Sequence, residues 1–169
     1  RRPVDEFNIN RFIPEDCEGC ISTGHLTALV AWFLKHDPDV RIGLYSSWYD
    51  SIIADVFLQI DPTEHANSLR EQTTLVHEAY PERFRRFITD GYQHTALIAD
   101  VSGIIGSDLG KFEYPDDVLA GLVGGNLKVG GLESTEIDGF TVGEWLTGFI
   151  DNDLDVWVDI LEDPGAAPE

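Results

Sequence analysis

Asp50 and His94 are the two side chains of this sequence whose types and positions suggest chemistry. The histidine lies in "RFRRFITDGYQHTALI", residues 83–98, just past an apolar-and-basic run that stops at "DGYQ". The aspartate ends "VRIGLYSSWYD", 44 positions earlier (94 − 50). In nucleophilic hydrolysis an imidazole takes the proton of a serine hydroxyl and later returns a proton to the leaving group. A carboxylate on the other ring nitrogen fixes the tautomer and stabilises the imidazolium. The acid and the base are present, but the nucleophile is not. No G-x-S-x-G occurs: "GCISTG" and "GSDLG" have the wrong spacing, and Ser46 and Ser47 share the Asp50 loop without a strand-to-helix elbow.

Elements must bring such a pair together. Leu26, Leu29, Val30, Phe33 and Leu34 recur at helical spacing from Gly24 onward, and "HDPDV" ends that helix because Pro38 disfavours helical geometry at the residue before it. Residues 40–45, "VRIGLY", read as a buried strand, "SSWYD" as a loop, and "SIIADVFL" as a short helix that Asp50 would cap. A polar helix over residues 63–80 ends before Pro81, and residues 83–89 form the next strand. "FTVGEWLTGFI" reads as an amphipathic helix and "LDVWVDIL" as a short terminal strand. Strands separated by helices predict an α/β protein with a parallel sheet and helices on both faces. In such sheets functional groups gather beyond the carboxyl ends of the strands, where both Asp50 and His94 fall.

A length of 169 residues with 43% hydrophobic content fits one domain with a real core. Residues 1–23 are expected to be an irregular arm, the glycine-rich stretch 100–137 an insertion, and 164–169 a disordered tail. "LVGGNLKVGGLEST" lacks both phosphate-loop patterns. The net charge of −20 argues against nucleic acid and anionic membranes as partners and suits solubility at high ionic strength. No signal peptide is visible at "RRPVDEFN", and no apolar run approaches the roughly 18 residues of a membrane span. Cys17 and Cys20 in "PEDCEGC" stand among acidic residues that oppose a thiolate, so redox catalysis is not expected. They are disulfide candidates, either with each other or with a segment outside this chain.

"DVRIGLYSSWYDSII", then "GYQHTAL", then "GFTVGEWL" resemble the C-terminal half of the pectinacetylesterase/Notum group of α/β-hydrolases. "VDEFNINRFIPEDCEGC" is similar to the arm that follows the central strand in bacterial relatives of that group. The resemblance covers, with gaps, residues 4–100 and 138–150. It implies Asp50 as catalytic acid and His94 as catalytic base of a Ser-His-Asp triad. It also implies a nucleophilic serine and oxyanion-hole amides on an N-terminal half lying upstream of Arg1. The chain is then residues 1–163 of one α/β-hydrolase-like half domain, completed by a partner chain that carries the serine. Trp48, two residues before Asp50, is a candidate wall of the acyl pocket. No cofactor and no metal are expected, the substrate is an ester, and the location is secreted or periplasmic. Two departures from the group stand out: the length of the 100–137 stretch, and an acidity that suits a polyanionic pectin poorly.

Two other classes remain. A non-catalytic acidic α/β binding module would use Asp50 only as a helix cap and His94 only as a loop residue. A calcium protein would use "DNDLD" at 151–155, although this lacks the glycine and closing glutamate of an EF-hand loop.

Overall fold

The computed structural model describes residues 9–17, 19–20, 26–50, 53–54, 58–91, 132 and 135–165. A 3-10 turn, Ile9–Phe12, precedes α1 (Thr27–His36), β1 (Ile42–Ser47), α2 (Pro62–Ala79) and β2 (Phe84–Thr89). A hairpin of β3 (Glu136–Ile137) and β4 (Phe140–Thr141), then α3 (Val142–Asp151) and β5 (Ile160–Leu161), complete the described chain. The three strands β1, β2 and β5 form a parallel sheet in the order β1-β2-β5, so the expected α/β class holds.

Strand alternation divides the core between the two faces. Ile42 and Leu44 of β1 and Phe84 of β2 pack with Leu34 and Val76 from α1 and α2. Phe87 of β2 and Tyr45 of β1 point the other way, onto Trp145, Val142, Trp157 and Ile160. Helices therefore cover both faces, α1 and α2 on one and α3 on the other. Within the α3 layer Trp145 donates its indole N–H to the Val158 carbonyl at 2.7 Å, and the Phe87 and Trp145 rings meet edge-on at 5.8 Å.

Local chemistry fixes the helix ends. Asp61 caps α2 by accepting from the amides of Thr63 and Glu64, with Pro62 at the first helical position, and those hydrogen bonds lower its carboxyl pKa. Thr141 and Glu144 form a reciprocal capping box at the start of α3. Asp138 and Gly139, both at positive φ, turn the hairpin just before it. Residues 140–141, expected to open this helix, are a strand because they pair back across that turn.

Each arginine of "RFRRF" has a separate task. Arg83 donates to the carbonyls of Leu34, Asp37 and Val40 and so closes the C-terminal end of α1. Arg85 binds the carbonyls of Pro81, Leu154 and Trp157. Arg86 is buried and forms a two-pronged ion pair with Asp159, Nε to Oδ1 at 3.0 Å and one terminal nitrogen to Oδ2 at 2.7 Å. Its other terminal nitrogen donates to the hydroxyls of Thr73 and Thr74. Three elements, α2, β2 and the approach to β5, are tied through one guanidinium.

The strand ends differ from the sequence reading. β1 runs to Ser47 rather than stopping at Tyr45, because Ser46 and Ser47 pair with Ile88 and Thr89 of β2. The expected terminal strand over 154–161 shrinks to Ile160–Leu161; Asp153 instead accepts from the amides of Val156 and Trp157, forming a turn. Pro164 and Gly165, the start of the expected disordered tail, are described, and Gly165 is held on both sides: its amide donates to Asp90 Oδ1 at 3.1 Å and its carbonyl accepts from the Tyr49 hydroxyl at 3.0 Å. Most of the 51–58 helix and most of the 100–137 insertion lie outside the described residues.

Gly43 is where β1 lets the α3 layer close in. A Cβ there would stand 2.8 Å from Cη2 of Trp145, a buried indole with little room to retreat. Gly43→Ala is expected to cost about 1–3 kcal/mol through overpacking. The check is a lower denaturant midpoint at unchanged m-value.

Candidate functional site

The carboxyl ends of the three parallel strands lie side by side, and the segments leaving them are bonded together. Beyond Ser47, the Trp48 amide donates to the Thr89 carbonyl and the Tyr49 amide to the Gly91 carbonyl, each at 3.0 Å. The β1 and β2 exits thus stay adjacent past the end of the ladder. From β5, Glu162 accepts from the Asp90 amide at 2.7 Å, and its own amide donates to the Ile88 carbonyl.

Asp50 sits in this cluster with 2% of its surface exposed. Its Oδ1 accepts from the Ile53 amide at 2.9 Å, and its carbonyl accepts from the Ala54 amide at 2.8 Å. The aspartate therefore caps the turn that follows it. His94 lies outside the described residues.

Trp48 is enclosed rather than presented. Its indole is 1% exposed, packs with Tyr49, Ala66 and Ile88, and donates to the Glu162 carbonyl at 2.6 Å. The Arg70 guanidinium lies 4.8 Å above the ring. His65, at the start of α2, is buried with Nδ1 3.1 Å from the Trp48 carbonyl. A carbonyl can only accept, so Nδ1 carries the proton and clamps the turn leading to Asp50. Nothing in the spacing of His65 along a polar helix marks it for this position.

Tyr45 and Thr89 point to the α3 side of the same sheet end. Burial pushes the Tyr45 phenol above its ordinary value of 10.0, the Asp50 charge adds to that rise, and the Thr89 hydroxyl partly opposes it. Neither hydroxyl makes a well-aligned hydrogen bond among the described residues. A raised folded pKa means that Tyr45 contributes stability that is intact below pH 10.0 and is lost as pH rises through the folded value. Tyr45→Phe is expected to move the alkaline unfolding midpoint to higher pH while leaving neutral-pH stability little changed, as a pH series of melts would show.

Cys17 and Cys20 are joined by a disulfide. Among the described residues no group of three His, Cys, Asp or Glu side chains is arranged to hold a metal ion. In "DNDLD", Asn152 Oδ1 is taken by Arg41 and Asp153 Oδ1 by the Asp155 amide. A groove of about 330 Å³ along α3 is lined by Glu144, Thr147, Asp151, Asp153 and Val156 and includes none of the sheet-end residues. No helix among the described residues is long and apolar enough to cross a membrane.

Fold and site together define an α/β protein whose parallel sheet carries a buried carboxylate at its carboxyl edge. Comparison with family models, curated proteins and solved structures finds no match for this chain.

Proposed function

We propose that this chain is the C-terminal portion of a pectinacetylesterase/Notum-like serine carboxylic-ester hydrolase, supplying the acid and base of a Ser-His-Asp triad. The observation that carries the reading is the buried Asp50 carboxylate beside the exit of the neighbouring parallel strand. Gly91, bonded to Tyr49, is three residues before His94, and three residues span at most about 11 Å. That short tether supports, on this reading, an approach of the imidazole to Asp50.

In this mechanism His94 removes the proton from a serine hydroxyl as its oxygen bonds to the ester carbonyl carbon. Asp50 stabilises the imidazolium, which then protonates the departing alkoxide as the C–O bond breaks. Water, deprotonated by His94 in turn, releases the acid and restores the serine. The serine belongs to an N-terminal chain. Among the described residues β1 has no strand neighbour on its outer side, and it carries no charge or proline to block pairing, so a sheet continuing into that chain fits there. A secreted or periplasmic location suits the Cys17–Cys20 disulfide.

The test combines this chain with its upstream half and follows p-nitrophenyl acetate cleavage, with His94→Ala as the control. Turnover that depends on His94 is the expected result; equal turnover by wild type and variant defeats the assignment. The second reading, a binding module without turnover, is favoured by the Ile53 amide on Asp50, which gives the carboxylate a structural task regardless of catalysis.

A further inference from the structure

We infer that Tyr49 and Gly165 are positioning residues: through Asp90 they clasp the turn before Asp50 onto the turn that leads to His94. This role rests on the reading of Asp50 as the catalytic acid and His94 as the base. The segment beyond β5 crosses the exits of both other strands. Glu162 donates its amide to the Ile88 carbonyl and accepts the Trp48 indole N–H at 2.6 Å on its own carbonyl. Its carboxylate accepts the Asp90 amide at 2.7 Å. Three residues on, Gly165 donates its amide to Asp90 Oδ1 at 3.1 Å, and its carbonyl accepts the Tyr49 hydroxyl at 3.0 Å.

These bonds close a ring. The Tyr49 hydroxyl reaches Gly165, and the Gly165 amide reaches Asp90 Oδ1. The same oxygen accepts the Gly91 amide at 2.8 Å, and the Gly91 carbonyl accepts the Tyr49 amide at 3.0 Å. Tyr49 directly precedes the acid, and Gly91 stands three residues before the base. The β1–β2 ladder ends at Ser47 and Thr89, so past it the ring fixes the spacing of the two turns. Proton transfer depends on that spacing, since a misplacement of about 1 Å costs on the order of 10²-fold in rate. Gly165 is the natural place for a wedge. A Cβ there would stand 2.8 Å from Asp90 Oδ2, and the short carboxylate gives way by turning off its two amides, at little cost to the rest of the fold.

The direct test uses the full chain alone and follows amide hydrogen exchange by NMR. In Gly165→Ala and in Tyr49→Phe the amide of residue 49 is expected to exchange roughly tenfold faster, the equivalent of one hydrogen bond. The Ile42 amide, bonded to the Arg83 carbonyl at the opposite end of the sheet, should change less. Unchanged exchange at residue 49 in both variants, or equal acceleration at Ile42, overturns the inference. In the assembled esterase, Gly165→Ala is expected to lower kcat roughly tenfold at unchanged KM. It should also move the acid limb of the pH–rate profile to lower pH, because an imidazole held less firmly on a carboxylate gives up its proton more readily. A segment that only adds stability would leave that limb in place, which also overturns the inference. The two failures are separable: the exchange measurement needs no upstream chain, whereas failure of the hydrolase reading appears as His94-independent turnover.

Discussion

Asp50→Asn is expected to lower ester turnover by the assembled enzyme on the order of 10⁴-fold while leaving the stability of this chain almost unchanged. The substitution separates the two tasks of the residue. As a cap, Asp50 offers Oδ1 to the Ile53 amide, and asparagine retains one such oxygen with equal capping strength. As a triad acid it must present negative charge to a histidine N–H, which the amide cannot do, and the amide N–H₂ favours the wrong imidazole tautomer. Asp50→Ala, by contrast, removes cap and charge together and should also cost about 1 kcal/mol of stability. Turnover and denaturation measured on the same preparations distinguish the readings. A binding module predicts that the asparagine variant differs from wild type in neither.

The largest stability effect is expected at Arg86. Arg86→Met should destabilise the chain by about 3–5 kcal/mol, because it leaves Asp159 without its ion-pair partner at a mostly buried position. The remaining neighbours only partly compensate. Asp159 Oδ1 keeps the Arg86 amide at 2.8 Å and stands 3.6 Å from Nδ1 of His77. That His77 nitrogen is itself 2.8 Å from the Phe84 carbonyl and so donates there. The Thr73 and Thr74 hydroxyls lose an acceptor role at the same time. Replacing both partners by apolar residues of similar size, Arg86→Met with Asp159→Leu, should recover most of the loss. Urea unfolding of the two single variants and the double variant measures the coupling. A double variant as unstable as the sum of the singles would contradict this account of the network.

How much of the fold is legible in the sequence depends on whether a residue announces its role through local pattern. α2 lies within one residue of the 63–80 expected at each end: the stop before Pro81 is written in backbone chemistry, whereas the helix opens at Pro62 rather than Thr63. β2 is equally clear, an apolar-and-basic run between turn signals. The sequence pattern ends β1 at Tyr45 because Ser46 and Ser47 look like loop; their strand character comes from pairing with β2, information held elsewhere in the chain. "LDVWVDIL" read as one strand, yet Trp157 turns into the α3 layer and Arg85 takes the carbonyls of Leu154 and Trp157, leaving two residues to pair.

The site divided in the same way. Strand order and loop placement put Asp50 at the sheet end, as the βα pattern implied. Trp48, a candidate pocket wall, is enclosed by α2, a consequence of helix docking that no spacing reveals. His65 and Tyr45 were invisible for a related reason: one lies on a polar helix and the other in a strand, and only the packed sheet brings them to the same edge. Pro164 and Gly165 carry the composition of a tail, yet Asp90 and Tyr49 hold Gly165 from opposite sides.

The central claim is a hydrogen bond between the Asp50 carboxylate and an imidazole N–H of His94, and proton NMR of this chain tests it without any partner. The account predicts a far-downfield exchangeable imidazole proton that disappears in both His94→Ala and Asp50→Asn. A spectrum without that proton, or one in which it persists unchanged in Asp50→Asn, would contradict the account.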